Sequence, residues 1–437
     1  MADIAPLTPL RYAPSIDLAS VVAPPYDVID EGQKKALQDR DPHNVVRLIL
    51  PDGDGDAKYA NAAATLAAWR EGDALIRDDE PAFHVYEQSF APPGGGARIT
   101  RRGFLGLVRL APYEDKIVLP HERTLSGPKE DRLKLFRATR TNLSPGFMLY
   151  RDPAGVVARA LSGGLEIARF TTRDGVEQRV CKVSDPVAIR AAIAHVKTSQ
   201  LLIADGHHRY ETALRYSGEM SSSPGAVADG RHRFFMVFFA CSDDPDLVVF
   251  ATHRHVHSVA DFAWERVAPG LAALFDVREL ASGHDASSAL AALAASGREV
   301  PSFVLGRPDG SAFLVSLRPG VDLASHPVLG EVPPALRRTD VAILHGAILE
   351  TVLGITREAQ AAKANIWYPQ DAAAALADLR SGKGQALFLM NATPVSQVRE
   401  VAEAGLVMPQ KSTFFYPKVL TGLTIHTLEP DVPVSVP

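Results

Sequence analysis

Residues 201–216, LLIADGHHRYETALRY, hold the reading around which the rest of the chain is organised. Leu201 to Ala204 form an apolar run of strand type, Asp205-Gly206 is a turn dipeptide, and His207 onward has the composition of a helix. A strand-to-helix turn of this kind places His207, His208 and Arg209 on the first turn of the helix. The backbone N–H groups there have no helical acceptor and point outward, which makes the turn a natural anion cradle. Gly206 lets a ligand approach the backbone, and Arg209 offers a planar fork suited to phosphate or carboxylate. Asp205, His207 and His208 add an acid and two imidazoles, groups used in general acid–base chemistry. A blander account has Asp205 capping the helix and the histidines facing solvent. An acid, a glycine, two imidazoles and a guanidinium in unbroken succession favour the ligand site, because ligands of open α/β sheets gather outside such strand ends.

Outward from this turn, 437 residues suffice for two or three domains. A composition 46% hydrophobic and 22% charged is that of a globular protein and excludes a largely disordered one. The net charge of -5 gives no support to a nucleic-acid partner. Cys181 and Cys241 form neither a metal pattern nor a disulfide framework, so a cytoplasmic location is expected. No apolar run reaches the roughly 18 residues that span a bilayer, and the N-terminus lacks signal character. Composition is silent on oligomeric state.

Local patterns outline the elements. FHVYEQSF (83–90) and FLGLVRL (104–110) read as a hairpin joined through Ala91–Gly96. Asp30 with Gln33 predicts a capping box for a helix ending before Asp41-Pro42, and VVRLIL (45–50) follows as a strand. Ala-rich residues 56–73 predict a helix, and Pro128 opens another that continues through KEDRLKLFRAT. Ser221–Gly225 separates a helix from the run FFMVFFA. From about 260, Ala-rich helices alternate with short strands such as FVLG and AFLVSL, the latter ended by Arg318-Pro319-Gly320. The expected class is mixed α/β (α+β). A phosphate-binding domain is expected over 1–258 and a smaller α/β domain over 259–437, whose segment 408–418 returns to the site.

Further residues are candidates. Pro24-Pro25 fix an extended backbone that could present Tyr26 and Asp27 to a cleft. In the charged stretch from His121 to Arg132, Glu122 is a candidate base and Lys129 and Arg132 are candidate phosphate contacts. Ser126-x-x-Lys129 matches a serine-hydrolase spacing, but Pro128 inside it and the lack of companion motifs speak against that chemistry. His253, His255 and His257 alternate along a predicted strand and share one face, which would suit zinc, with Arg254 on the opposite face. Lys411, Ser412 and Thr413 are possible anion contacts without a Walker cradle, since Gln410 occupies the required glycine position. Phe414 and Phe415 read as core aromatics of a final strand.

APPYDVI (23–29), PHERTLSGPKEDRLKLFRAT (120–139), ADGHHRYETAL (204–214), THR (252–254) and MPQKSTFFYPK (408–418) together resemble a widespread prokaryotic domain-of-unknown-function family. The motifs keep the family's order over nearly the whole chain. More distantly, the strand–DGHHR–helix element is similar to the phosphate box of the ParB/sulfiredoxin-like superfamily, which includes nucleotide-hydrolysing partition proteins and free-serine kinases. That resemblance implies a ParB/sulfiredoxin-like core, with nucleotide phosphates held by Asp205, Gly206, His207, His208 and Arg209. It also implies an upstream acid that activates the substrate hydroxyl, for which Asp27 and Glu122 are the options.

The leading expectation is a cytosolic phosphoryl-transfer enzyme, kinase or phosphatase, for a small hydroxylated metabolite such as serine or phosphoserine. Arg209, the turn amides and Lys411 or Lys129 would neutralise phosphate charge. A nucleotide and a magnesium ion shared with its phosphates fit this chemistry, as such ions bind through one or two carboxylates. Two alternatives stand beside it. One is a nucleotide-binding regulator without turnover; the other is a metal-dependent hydrolase built on His253, His255 and His257.

Overall fold

In the computed structural model, the apolar run that ends at Asp205 is a strand inside a mixed sheet of nine strands. The structure describes residues 1–92, 96–122, 124, 126–281 and 285–437. Its contacts divide the chain into two units, one of 1–120, 124–248 and 417–437, the other of 121–123 and 249–416. This division differs from 1–258 and 259–437: residues 249–258 fall in the second unit, and the last 21 residues return to the first.

The strands of the first sheet are β1 (Ile4–Ala5), β2 (Phe83–Phe90), β3 (Ile99–Arg109), β4 (Val118–Leu119), β5 (Gly146–Tyr150), β6 (Leu165–Thr171), β7 (Glu177–Val183), β8 (Leu201–Asp205) and β9 (Phe234–Cys241). Their order is β4-β8-β5-β9-β3-β2-β7-β6, with β1 also on β3. β8 runs parallel to β4 and β9 parallel to β5, while the other pairings are antiparallel. Central β9 is apolar throughout because both faces are covered. Phe235, Val237 and Phe239 share a core with Tyr210, Ala213 and Tyr216 of the helix α1 (His207–Met220). On the other face, Phe238 meets Tyr86 and Phe147. β2 and β3 form the expected hairpin; of its connection, residues 93–95 lie outside the described residues.

The capping box at Asp30 is present, with Gln33 N–H donating to Asp30 and the Gln33 side chain accepting from the Asp30 amide. VVRLIL corrects the expectation of a strand: Val46–Ile49 is a short helix. Asn44 Oδ1 accepts the Val46 N–H, so the local backbone bonds close on themselves, and Val45, Val46, Leu48 and Ile49 are all buried. An apolar run surrounded by core loses the periodicity that separates helix from strand. The C-terminal segment is stitched into this unit through Thr421 on Ala23, Ile425 on Leu10, and His426–Thr427 on Thr141–Asn142.

The second unit holds an antiparallel six-stranded sheet. One face, including Phe303, Leu305 and Phe388, packs against residues 343–349; the other, including Val304 and Leu387, packs against Leu293, Leu376 and Leu379. Leu344–Val352 is π-helical, with Thr351 Oγ1 donating to the Gly346 carbonyl five residues back. Among the described residues, no helix is long and apolar enough to cross a membrane.

Gly103 shows how tight the first sheet is. A Cβ there would overlap the Phe239 carbonyl oxygen and lie 2.5 Å from the Phe238 ring. Gly103→Ala is therefore expected to cost about 3 kcal/mol by overpacking. Gly218, exposed inside α1 with nothing within 4 Å of its Cβ position, is expected to gain about 0.5–1 kcal/mol on change to Ala. Urea unfolding midpoints that move the other way in either variant would contradict this packing.

Candidate functional site

The turn is built by Gly206, which precedes α1 with φ +93, a left-handed conformation that glycine adopts without strain. Having no side chain, Gly206 leaves the first-turn amides without an N-cap acceptor of its own. Its missing Cβ also makes room for a neighbour. The Arg209 guanidinium folds back beneath it, with atoms 3.1 Å from where a Cβ would sit. From there Arg209 Nη2 donates to Asp205 Oδ2 at 2.8 Å and Nη1 to the Pro145 carbonyl. Arg209 is buried, so it first locks the turn to the end of β8 and to the segment before β5.

The other oxygen of Asp205 is held by Lys418, whose Nζ lies 3.3 Å from Oδ1. Burial opposes ionisation of Asp205, but Lys418, then Arg209 and His207, outweigh it and hold the carboxyl well below the usual range. Lys418 is placed through its backbone. Its carbonyl accepts from Gln88 Nε2 at 3.1 Å, and the preceding Pro417 carbonyl accepts from Arg101 Nη2. Gln88 and Arg101 face one another across β2 and β3, and Arg101 Nη2 also donates to Gln88 Oε1. The Arg101 guanidinium lies over Phe147 at 4.9 Å and Phe238 at 5.4 Å. Burial lowers its pKa to about 10, against the pull of Tyr86 and Asp205. Its Nε and Nη1 have no hydrogen-bond partner among the described residues.

The other expected phosphate contacts of this unit are engaged with carboxylates. Lys129 Nζ lies 2.9 Å from Glu211, which also accepts from Thr124 at 2.7 Å. Arg132 donates to Asp131 and to the Ile49 carbonyl, with its guanidinium 4.2 Å from the centre of the Tyr26 ring. Tyr26, Arg132, Ser144 and Arg209 line one narrow crevice. Asp27 is exposed beside Tyr26, and His208 is half-buried while His207 is buried. Arg123 and Leu125 lie outside the described residues, and so does their part of the charged loop.

Glu122, His253, Arg254, Lys411, Ser412 and Thr413 gather in the second unit. Glu122 pairs by a parallel bridge with Met408, and His121 Nε2 is 2.9 Å from Thr413 Oγ1. Ser412 Oγ donates to the Pro409 carbonyl. Arg254, wholly buried, donates to the carbonyls of Thr252 and Lys411 and through Nε to His345 Nε2 at 3.0 Å. Because Nε2 accepts, His345 donates from Nδ1 to Gln360 at 2.7 Å. A cleft of about 330 Å3 opens above this relay, lined by His345, Tyr368, Met408 and Gln410 among others.

The histidine strand that would suit zinc has its rings in these surroundings. His253 Nδ1 accepts the Met390 N–H at 3.1 Å, His255 meets the Trp367 ring edge-on, and His257 stacks on it at 3.9 Å. The rings serve packing, and no group of three or more His, Cys, Asp or Glu side chains suited to a metal occurs among the described residues. A resident magnesium ion does not fit Asp205 either, because each of its oxygens already faces a cation.

Sequence reading missed Arg101, Gln88, Glu211 and Lys418. Lys418 had a usable signal as the last residue of the MPQKSTFFYPK motif. Arg101 had none, since an arginine in an alternating strand normally faces solvent.

Residues 4–342 match the family model described as "Protein of unknown function (DUF1015)", so the chain belongs to that family. A search of curated proteins finds no match. Among solved structures, a free serine kinase variant in complex with ADP is 13% identical, with 72% of this chain and 90% of that chain covered and a TM-score of 0.37. A conserved hypothetical protein from Pyrococcus furiosus is 16% identical, with coverage of 70% and 90% and a TM-score of 0.34. SbnI with C-terminal truncation from Staphylococcus aureus is 10% identical, with coverage of 72% and 85% and a TM-score of 0.33. Similarity at this level assigns no activity.

Two stability effects follow from these surroundings. Asp205→Asn leaves Arg209 and Lys418 uncompensated and is expected to cost about 3 kcal/mol at neutral pH. Burial, then Arg254, lowers His253 to about 4 and His345 to about 3, below the ordinary 6.5. The unfolded chain therefore takes up protons first as pH falls. Stability should be complete above about pH 6.5 and lose about 2 kcal/mol per histidine by pH 5. Thermal midpoints that stay level from pH 8 to pH 5 would exclude neutral buried histidines.

Proposed function

We propose that this chain binds a phosphate-bearing small molecule, a nucleotide in the first instance, at the turn between β8 and α1, and that it works as a phosphoryl-transfer enzyme on a small hydroxylated metabolite. The observation that carries the reading is the charge balance at Asp205. Arg209, Lys418 and Arg101 bring three positive charges toward one carboxylate. Among these four groups positive charge exceeds negative by two, and a partly buried place of that balance favours a bound anion. The first turn of α1, with its amides and the positive end of the helix dipole, offers such an anion a seat. A phosphate monoester dianion matches that surplus, whereas a single carboxylate would neutralise half of it.

In the transfer direction, the bond from the terminal phosphorus to its bridging oxygen breaks and a new bond forms to the metabolite's hydroxyl oxygen. The hydroxyl proton passes to a base, for which His207 and His208 are the candidates. Asp27 is the preferred orienting acid because it lies in the same unit as the turn and adjoins Tyr26, whose crevice includes Arg209. With water as the attacking oxygen, the same groups would hydrolyse a phosphate ester. Neutralisation of phosphate charge would supply the largest share of the rate.

AMP and ADP, inorganic phosphate, serine with nucleotides, and phosphoserine alone are the probes. Calorimetric binding of AMP is expected and should survive EDTA within about twofold, since no resident metal is required to hold the anion. Turnover of serine with nucleotide, or of phosphoserine, should fall by about 10²–10⁴ in His208→Ala. Absence of binding to AMP, ADP and phosphate would remove the site. Binding without turnover, identical in wild type and His208→Ala, would leave a nucleotide-binding regulator.

A further inference from the structure

Resting on the phosphate-site reading, we infer that Lys418 is the exchangeable cation of the site and Arg101 its positioning residue. The Lys418 ammonium pairs with Asp205 in this structure and transfers to the anionic group of an arriving ligand, while Arg101 keeps the backbone at 417–418 in place.

Of the two cations on Asp205, only one can leave cheaply. Arg209 is buried, tucked under Gly206 and bonded also to the Pro145 carbonyl, so its departure would break the turn. Lys418 makes the longer contact, 3.3 Å against 2.8 Å, and its side chain keeps 19% of its surface exposed. An ammonium on a four-carbon stem can swing between two acceptors, whereas a planar fork is tied to its geometry. Asp205 is not stranded by the exchange, because Arg209 remains on its Oδ2.

The backbone beneath Lys418 is fixed at two consecutive carbonyls, Pro417 by Arg101 and Lys418 by Gln88. Arg101, on β3, reaches the first of them. Among the described residues, no carboxylate is hydrogen-bonded to it and two of its nitrogens have no hydrogen-bond partner. A buried charge so incompletely satisfied costs stability, and an apolar side chain of similar volume would normally serve the fold better. What Arg101 supplies, and an apolar side chain would not, is the bond to the Pro417 carbonyl and a positive charge near Asp205. This assignment moves the C-terminal phosphate contact from Lys411 to Lys418.

The test is a double-mutant cycle for AMP binding to the full chain at low salt. Lys418→Met should weaken AMP by about 10- to 100-fold, the value of one charge-assisted bond. Arg101→Met should weaken it comparably in the wild-type background but by less than about twofold once Lys418 is Met, because its effect passes through Lys418. Additive losses would make Arg101 a general structural residue and overturn the inference. AMP affinity of Lys418→Met within about twofold of wild type would overturn it too. If Arg101→Met does not fold, Arg101→Lys keeps the charge but loses the fork, and the same loss that vanishes in Lys418→Met is expected. Wild type that binds neither AMP nor phosphate removes the phosphate site itself, and this inference with it. Wild type that binds while Lys418→Met binds equally removes the inference alone.

Discussion

The carboxylate of Asp205 ties two stretches of the first unit to the end of β8. One oxygen fastens the first turn of α1 to the end of its own strand through Arg209, and the other fastens the C-terminal segment through Lys418. Each of these contacts joins stretches that the backbone alone would leave free to separate. A lone buried charge is costly, so the Asp205 carboxylate keeps at least one of these cations, and Arg209 is the one tied down by a second bond, to the Pro145 carbonyl. The turn that Gly206 shapes and the segment that Gln88 and Arg101 hold are thus linked to each other through one ionised side chain.

This dependence sorts the cations of the unit into two kinds. Lys129 sits on Glu211 and joins its own helix to α1, whereas Arg132 sits on Asp131, its neighbour in the same helix. Arg101 and Lys418 converge on Asp205, which Arg209 already neutralises. A buried guanidinium with two nitrogens lacking hydrogen-bond partners among the described residues, as in Arg101, is expensive for the fold. Arg254 in the second unit shows the same economy with carbonyls and His345 in place of acids.

Much of the fold was legible where a local rule acts alone. The capping box at Asp30, the hairpin from Phe83 and the strand–turn–helix at Leu201 each depend on a few neighbouring residues, and each is present. VVRLIL was misread because burial on every side erases periodicity. The mixed α+β class followed from alternating patterns, but the return of residues 417–437 could not, since pairing across hundreds of residues leaves no local trace. For the same reason Asp205 and Arg209 were visible as a site, while Arg101, Gln88 and Lys418 needed the sheet to bring them there. The histidine strand shows a different limit of the sequence. Alternation puts side chains on one face without saying whether they meet a metal or a tryptophan, and here His255 and His257 meet Trp367.

The return of the chain after residue 416 has a bearing on synthesis. Everything from 249 to 416 is emitted between the strands of the first unit and the segment that completes it. A ribosome therefore releases Asp205 and Arg209 long before Lys418 exists. Until residues 417 and 418 emerge, the turn lacks one of its two cations and β2 and β3 lack the carbonyls that Gln88 and Arg101 bind. A chain cut short after residue 416 would retain the DGHHR motif but lack Lys418 and the two carbonyls that Gln88 and Arg101 bind.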